Sequence, residues 1–581
     1  MSRKTEHYVR AAKLSDVQTI GCKVVHLERH TVALFAYRDK IYALDNRCPH
    51  MGFPLHQGTV KNGILTCHWH HARFDLVSGG TFDQWADDVR MFPVQIRDGE
   101  VWVDLAQRVN LRDHQRERLR DGLERNIPLI IGKAVIVLLD SDGDPREPFC
   151  IGLEFGTRYR QGGWGQGLTI HTCMMNLLPY LDSQDRRRAF YHGLAAISKD
   201  CAGMPPRFGV RPLPSPTTDL TTLKAWFRQF VEVRDSEGAE RCIVSAVRAG
   251  ANLQKLADML FAAATDHRYI DIGHVLDFTN KALEALDAAG LDYAEQVLTS
   301  LASSYANADR MEESNAWRNP VDLIKILQDT FEALPKALET GRNRRGTWSG
   351  HDKLVSVVLG EDPQAIADKL LTALRAGCTE EELASAVAYA AALRIARFHT
   401  SNEFSDWDTA LHTFTFANAV HQGLRRVASP ELLRGTFDAA MSIYLDRFLN
   451  VPAVRLVESD DTVKNPEKLL DELPELLDRQ QQINTAGELV GRYLYSGGAP
   501  DRLMAMLGRL LLREDRDFHT IQMLEAAFCQ YSLLSEMSDR TNVLVAATRY
   551  LAAHAQTVRA QGQTYQIALR LHRGVHLYEE F

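Results

Sequence analysis

The chain has no run approaching ~18 uninterrupted apolar residues, which argues against a membrane-spanning helix. It has no excess of positive charge either. Lysines and arginines number 67 against 75 aspartates and glutamates, a formal net charge of −8, with no basic stripe or tail. That disfavours nucleic acid as the main partner. Cysteines are few, nine in 581 residues, and Cys22, Cys150, Cys173, Cys201, Cys242, Cys378 and Cys529 are scattered without a framework. Such scatter is the pattern of reduced thiols. No strand-flanked G-x-G-x-x-G is found, so no nicotinamide or flavin site is evident and reducing equivalents are expected from a partner. Gly162-Gly163-Trp164-Gly165-Gln166-Gly167 is glycine-rich but precedes no nucleotide fold, and reads as a loop. The start, Met1-Ser2-Arg3-Lys4, carries neither an apolar signal core nor an arginine pair, so a cytoplasmic protein is expected.

The two remaining cysteines are informative. Cys48-Pro49-His50 is followed, after sixteen residues, by Cys67-His68-Trp69-His70. Two thiols and two imidazoles on two short loops can hold a structural zinc or a two-iron cluster in which one iron takes the cysteines and the other the histidines. The loops Cys48-Pro49-His50-Met51-Gly52 and Cys67-His68-Trp69-His70-His71-Ala72-Arg73-Phe74-Asp75 resemble those of the Rieske family, C-P-H-x-G and C-P-W-H-x-x-x-F-D. The resemblance covers about residues 6–105. It implies a Rieske-type [2Fe–2S] cluster held by Cys48, His50, Cys67 and His70, and favours that cluster over zinc. His68 and His71 stand where the family often has Pro and Gly, do not fit the ligand spacing and read as rim residues. The loop cysteines of respiratory Rieske proteins are absent. The module thus resembles the ferredoxin or oxygenase type, which implies a potential at the low end of the Rieske range.

Short β-prone runs support a small all-β domain here, among them Cys22–Glu28, Thr31–Arg38, Lys40–Asp45 and Arg90–Ile96, with Arg97-Asp98-Gly99-Glu100 as a hairpin turn. Beyond it the composition changes, and the length calls for more than one domain. We expect a Rieske domain over 1–106, a charged helical linker over 107–130 and a large, mostly α-helical domain with degenerate internal repeats over 131–581. Only 134–139 retains a β-like run. Helical patterns cover 247–264, 363–375, 380–397 and 499–512, with Asp362-Pro363, Thr379 and Asp501 as starts.

The repeats place histidines at matching offsets. His274, Phe278 and Asn280 parallel His412, Phe416 and Asn418; weaker copies surround His519 and His171. If the repeats pack about one axis, these histidines converge on a cavity. His171, His192, His274, His412 and His519 are the candidate catalytic residues. His267, His274, His399, His412 and Glu403 are candidates for a second metal, iron, manganese or zinc, with non-haem iron the leading choice. His267 and His274 are expected on one helix face, as are His399 and Glu403. Against this stands the ordinary case of a lone histidine satisfied within a helical core.

The iron motif of ring-hydroxylating Rieske oxygenases is not matched. Asp271-Ile272-Gly273-His274 begins it, but Thr279 stands where the second histidine would fall, and Asp408 to His412 has the wrong spacing. Thr169-Ile170-His171, Tyr191-His192-Gly193-Leu194, Tyr269 to His274 and Ala410 to Phe414 faintly resemble the histidine-bearing repeats of questin oxidase-like proteins, over roughly 150–560. That resemblance implies an oxygen-dependent oxidation of an aromatic or polyketide-like small molecule. The leading expectation is an oxidoreductase fed by a separate reductase or ferredoxin, with an oligomer possible. The alternative is a redox sensor or electron carrier whose helical part is a protein-interaction scaffold.

Overall fold

Strand-forming sequence stops at Asp104, and among the described residues no strand follows. The computed structural model describes residues 7–106, 111–140, 143–214, 219–458, 465–555 and 558–575. The chain is thus a small all-β domain followed by a large helical region. By compactness it divides into two units: 1–148 with 561–581, and 149–560. The sequence-based boundaries at 106 and 130 fall inside the first.

In the first unit, β1 (Tyr8–Lys13), β2 (Cys22–Leu27), β3 (His30–Tyr37), β4 (Lys40–Asp45), β5 (Thr59–Lys61), β6 (Ile64–Thr66), β7 (Arg73–Asp75), β8 (Met91–Phe92), β9 (Val94–Arg97) and β10 (Glu100–Asp104) form three antiparallel sheets, ordered β1-β10-β9, β2-β3-β4-β8 and β5-β6-β7. The β9–β10 hairpin pairs Arg97 with Glu100 across Asp98-Gly99, both at positive φ, the two-residue turn the sequence predicts. Val32, Leu34, Ala43, Val101 and Val103 form one core layer; Leu55, Leu65, Phe74 and Leu76 form another under the two cysteine loops.

The expected linker is a docked helix. In Leu111–Glu124, Arg112 and Arg116 pair with Glu147, and His114 Nε2 meets Asp87 Oδ1 at 3.0 Å. Arg118 donates to Ala86 O at 3.0 Å and lies 3.2 Å from Asp87. Its charges bind the 84–87 segment, an arrangement composition alone cannot distinguish from a solvated linker. The β-like run 134–139 lies mostly within the helix Pro128–Leu138, where Pro128 takes the first turn that proline favours. It is buried on nearly every side, and that erased the period by which helix and strand are told apart. A last helix, Ala560–His572, returns to this unit and sets Leu571 beside Gly52 of the first loop.

In the second unit every regular element among the described residues is a helix. Helices Pro363–Arg375 and Glu380–Ala396 start where their caps predict: Asp362 accepts from the amides of Gln364 and Ala365, and Thr379 with Glu382 forms a capping box. The expected helix over 247–264 is instead two, Ser236–Arg248 and Leu253–Ala264, parted at Gly250 (φ +78°) and recapped by Asn252. The helix Pro500–Arg513 is preceded by Ala499, so Asp501 lies in its first turn rather than at its cap.

Two candidate histidines are core residues here. His171 lies against Phe149 (4.8 Å between ring centroids), with Nε2 3.1 Å from the Phe149 carbonyl, in room left by Gly152 and Gly193. Burial pulls His171 down to about 4 and His192 to about 3. Both are neutral in the folded chain, while the unfolded chain takes up protons below the ordinary imidazole pKa of about 6.5. Stability is therefore complete above that value and falls as the pH drops toward 4, by on the order of 3 kcal/mol for each histidine. Urea unfolding of the full chain at pH 7.5 and 5 should show the loss, and a His171→Leu/His192→Leu double variant should lose less stability between the two pH values than the wild type.

Candidate functional site

The two cysteine loops of the first unit are built alike. Cys48 N–H donates to Phe53 O (2.8 Å) and Cys67 N–H to Ala72 O (2.8 Å), each five residues on. Gly52 N–H and His71 N–H then donate back to the Cys48 and Cys67 carbonyls, at 2.7 and 3.0 Å. The fourth residue after each cysteine is left-handed: Gly52 at φ +83°, His71 at φ +62°. This accounts for the expected glycine in the second loop, and His71 accepts the strained conformation instead. As the spacing predicts, His71 and His68 are exposed; His68 Nε2 meets Thr59 Oγ1 at 2.6 Å.

The four ligand candidates sit as two pairs. The Cys48 and Cys67 thiols are buried and interact with each other, which pushes the Cys48 thiol up and holds Cys67 below the ordinary thiol range. The His50 and His70 rings meet edge-on, 4.8 Å apart. His50 Nδ1 is buried without a partner, as a nitrogen kept for a metal would be. Burial, then His70 and Lys133, pulls His50 down to about 4, so it is a neutral donor near pH 7. A tetrahedral zinc would draw all four donors to one point. Among the described residues, only His274, His412 and His519 converge in that way. Two separated pairs fit a two-iron cluster.

Lys133, from the helix Pro128–Leu138, donates to the carbonyls of Pro49 and His50, the latter at 3.0 Å. Burial pulls its ammonium down to about 8, against the pull of Asp87 and Cys48. Burial also raises Asp87, but His114 and Arg118 outweigh it and hold that carboxyl below its ordinary range. Trp85 closes on His50 at 4.6 Å and Trp69 on His70 at 4.6 Å. Sequence patterns gave no signal for Lys133, which looks like one more cation in an apolar helix.

The second unit gathers three of the candidate histidines. His274 opens its helix (His274–Ala289), His519 is second in Phe518–Leu533, and His412 lies inside Phe404–Arg426. One ligand atom from each lies within 4.8 Å of the other two. His412 Nε2 and His519 Nε2 are 3.0 Å apart, close to the separation of neighbouring ligands on a metal at about 2.1 Å. Burial and the neighbouring imidazoles pull His274 down to about 3 and His412 to about 4. Phe278 and Phe518 pack at 5.2 and 5.9 Å from His274. Asp408, one turn before His412, lies 3.8 Å from His519 Nδ1 and accepts from the Tyr550 hydroxyl at 2.5 Å.

His274 is delivered by strained backbone. Tyr269, Asp271 and Ile272 have φ of +43°, +51° and +46°, with Gly273 at +95°. Branched Ile272 in that region is a steric outlier, and strain of this kind concentrates at functional sites. Tyr269 is held between Trp317 and Phe416. The strain breaks the helix expected to align His267 with His274: His267 Nδ1 instead meets Glu312 at 2.7 Å. His399 bonds Ser401 in a loop, and Glu403 caps the next helix, so these two do not share a helix face either. His171 and His192 do not join the three.

Along the His274 and His519 helices the facing positions stay polar. Asp277 accepts from Gln522; the fully buried Lys281 donates to Glu525 (2.6 Å) and Glu284 (2.9 Å); Asn176 donates to both glutamates. Burial raises Asp277 to about 7, and its Oδ1 has no partner.

Residues 7–93 match the family model described as Rieske [2Fe-2S] domain. The ferredoxin component of a naphthalene 1,2-dioxygenase system of Pseudomonas putida is 28% identical over 103 residues, 18% of this chain and 99% of that one. A 3-phenylpropionate/cinnamic acid dioxygenase ferredoxin subunit of Photorhabdus laumondii is 30% identical over 78 residues, 13% of this chain and 74% of that one. Among solved structures, a Sphingomonas yanoikuyae B1 ferredoxin matches with 24% identity over 18% of this chain and all of its own, at a TM-score of 0.16. With paired thiols and paired imidazoles on twin loops, and the family model matched over residues 7–93, the chain belongs through its N-terminal domain to the Rieske [2Fe–2S] family.

Proposed function

We propose that the chain is an oxidoreductase in which electrons taken up by the Rieske domain serve a metal centre held by His274, His412 and His519. The observation that carries this is the convergence of those three imidazoles from three separate helices. A redox metal bound there, with iron the expected one, would supply one-electron chemistry and open coordination positions. The chain's own residues do the rest. Low imidazole pKa values keep His274 and His412 unprotonated as donors. Phe278 and Phe518 shield one side from water, and Asp408 faces the second nitrogen of His519, the usual place for an orienting carboxylate. Asp277, one turn beyond His274, can hold or release a proton near neutral pH.

The substrate we propose is an aromatic or polyketide-like small molecule oxidised with oxygen. The faint questin oxidase-like pattern and the kinship of the Rieske domain to dioxygenase ferredoxins support this. The electron donor would be a separate reductase or ferredoxin. Among the described residues no helix is long and apolar enough to cross a membrane.

Metal and sulfide content of the anaerobically purified full chain tests the proposal. Two irons and two sulfides should be accompanied by one further metal. His412→Ala should lose that metal and keep the Rieske EPR signal. Two irons alone, unchanged in His412→Ala and His519→Ala, would leave the carrier or sensor as the better description.

A further inference from the structure

We infer that Lys133, a residue outside the Rieske fold, sets the redox potential of the cluster. Its ammonium donates to the backbone carbonyls of Pro49 and His50, the two residues that follow Cys48 in the first loop. Among the described residues it forms no ion pair, since the nearby carboxylate, Asp87, is engaged by His114 and Arg118. A positive charge is thus held, half-buried, beside the first cysteine loop, where salt screens it less than at an open surface.

The electron balance gives the sign. Two ferric irons, two sulfides and two thiolates sum to zero with neutral histidines. One electron from an external donor reduces one iron and leaves one negative charge, with no proton required. A fixed cation favours the charged, reduced form, so Lys133 raises the potential. It acts through position and charge, and touches neither substrate nor iron.

The device belongs to this chain's extension. Position 133 lies beyond residues 7–93, the stretch that matches the Rieske family model. The Lys133 helix therefore lifts the potential above the low value that the ferredoxin-type loops alone imply. This inference rests on the Rieske domain and is independent of the histidine centre.

The test is a redox titration of the full chain at pH 7, followed by EPR, for the wild type and for Lys133→Met, Lys133→Gln and Lys133→Arg. We expect the potential to fall in the Met and Gln variants, with two irons and two sulfides retained, and to stay at the wild-type value in the Arg variant. An unchanged potential in Lys133→Met and Lys133→Gln would overturn the inference. So would an equal fall in Lys133→Arg, or loss of the cluster from both neutral variants, because the lysine would then be a scaffold of the loop.

Discussion

Cys67→Ser abolishes the cluster: iron and sulfide of the Rieske site fall to background, with the visible colour and the EPR signal. A serine hydroxyl is a hard, weakly acidic donor where the cluster needs a thiolate. The helical unit has its own core, so far-ultraviolet circular dichroism should change little. Iron and sulfide analysis beside the dichroism spectrum checks both halves. A folded Cys67→Ser protein that keeps two irons and the Rieske signal would refute the ligand assignment.

Lys281→Met costs stability on the scale of a whole domain's margin. Lys281 is fully buried and joins Glu525 and Glu284. Removing the cation leaves Glu525 charged and buried without its partner, a change worth roughly 3–5 kcal/mol. Replacing both members, as Lys281→Met/Glu525→Leu, should recover much of the loss, because a buried pair gives little over apolar packing. Denaturant midpoints of the two variants decide it. If the double variant is no more stable than the single, the pair is not where the energy lies.

The cluster was legible because its chemistry is local. Four donors on two loops leave a spacing in the sequence, and the loop clamps lie within five residues of each cysteine. The convergence of His274, His412 and His519 was legible only through repetition, matching offsets in separate helices. That argument failed for His171, which a glycine pair buries in a core, and for His267, where four left-handed residues turn the chain before His274. Backbone strain of this kind has no compositional mark. Nor had Lys133 or Lys281: a lysine in an apolar helix reads the same whether it reaches solvent or a buried carbonyl.

The returning helix Ala560–His572 has a consequence for biosynthesis. It completes the first unit after an insertion of about 400 residues, and its Leu571 lies beside Gly52. At about 5–20 residues per second, the ribosome needs tens of seconds between the two parts. The first cysteine loop is therefore made tens of seconds before Leu571, its neighbour at Gly52, so the loop must reach its fold without that contact.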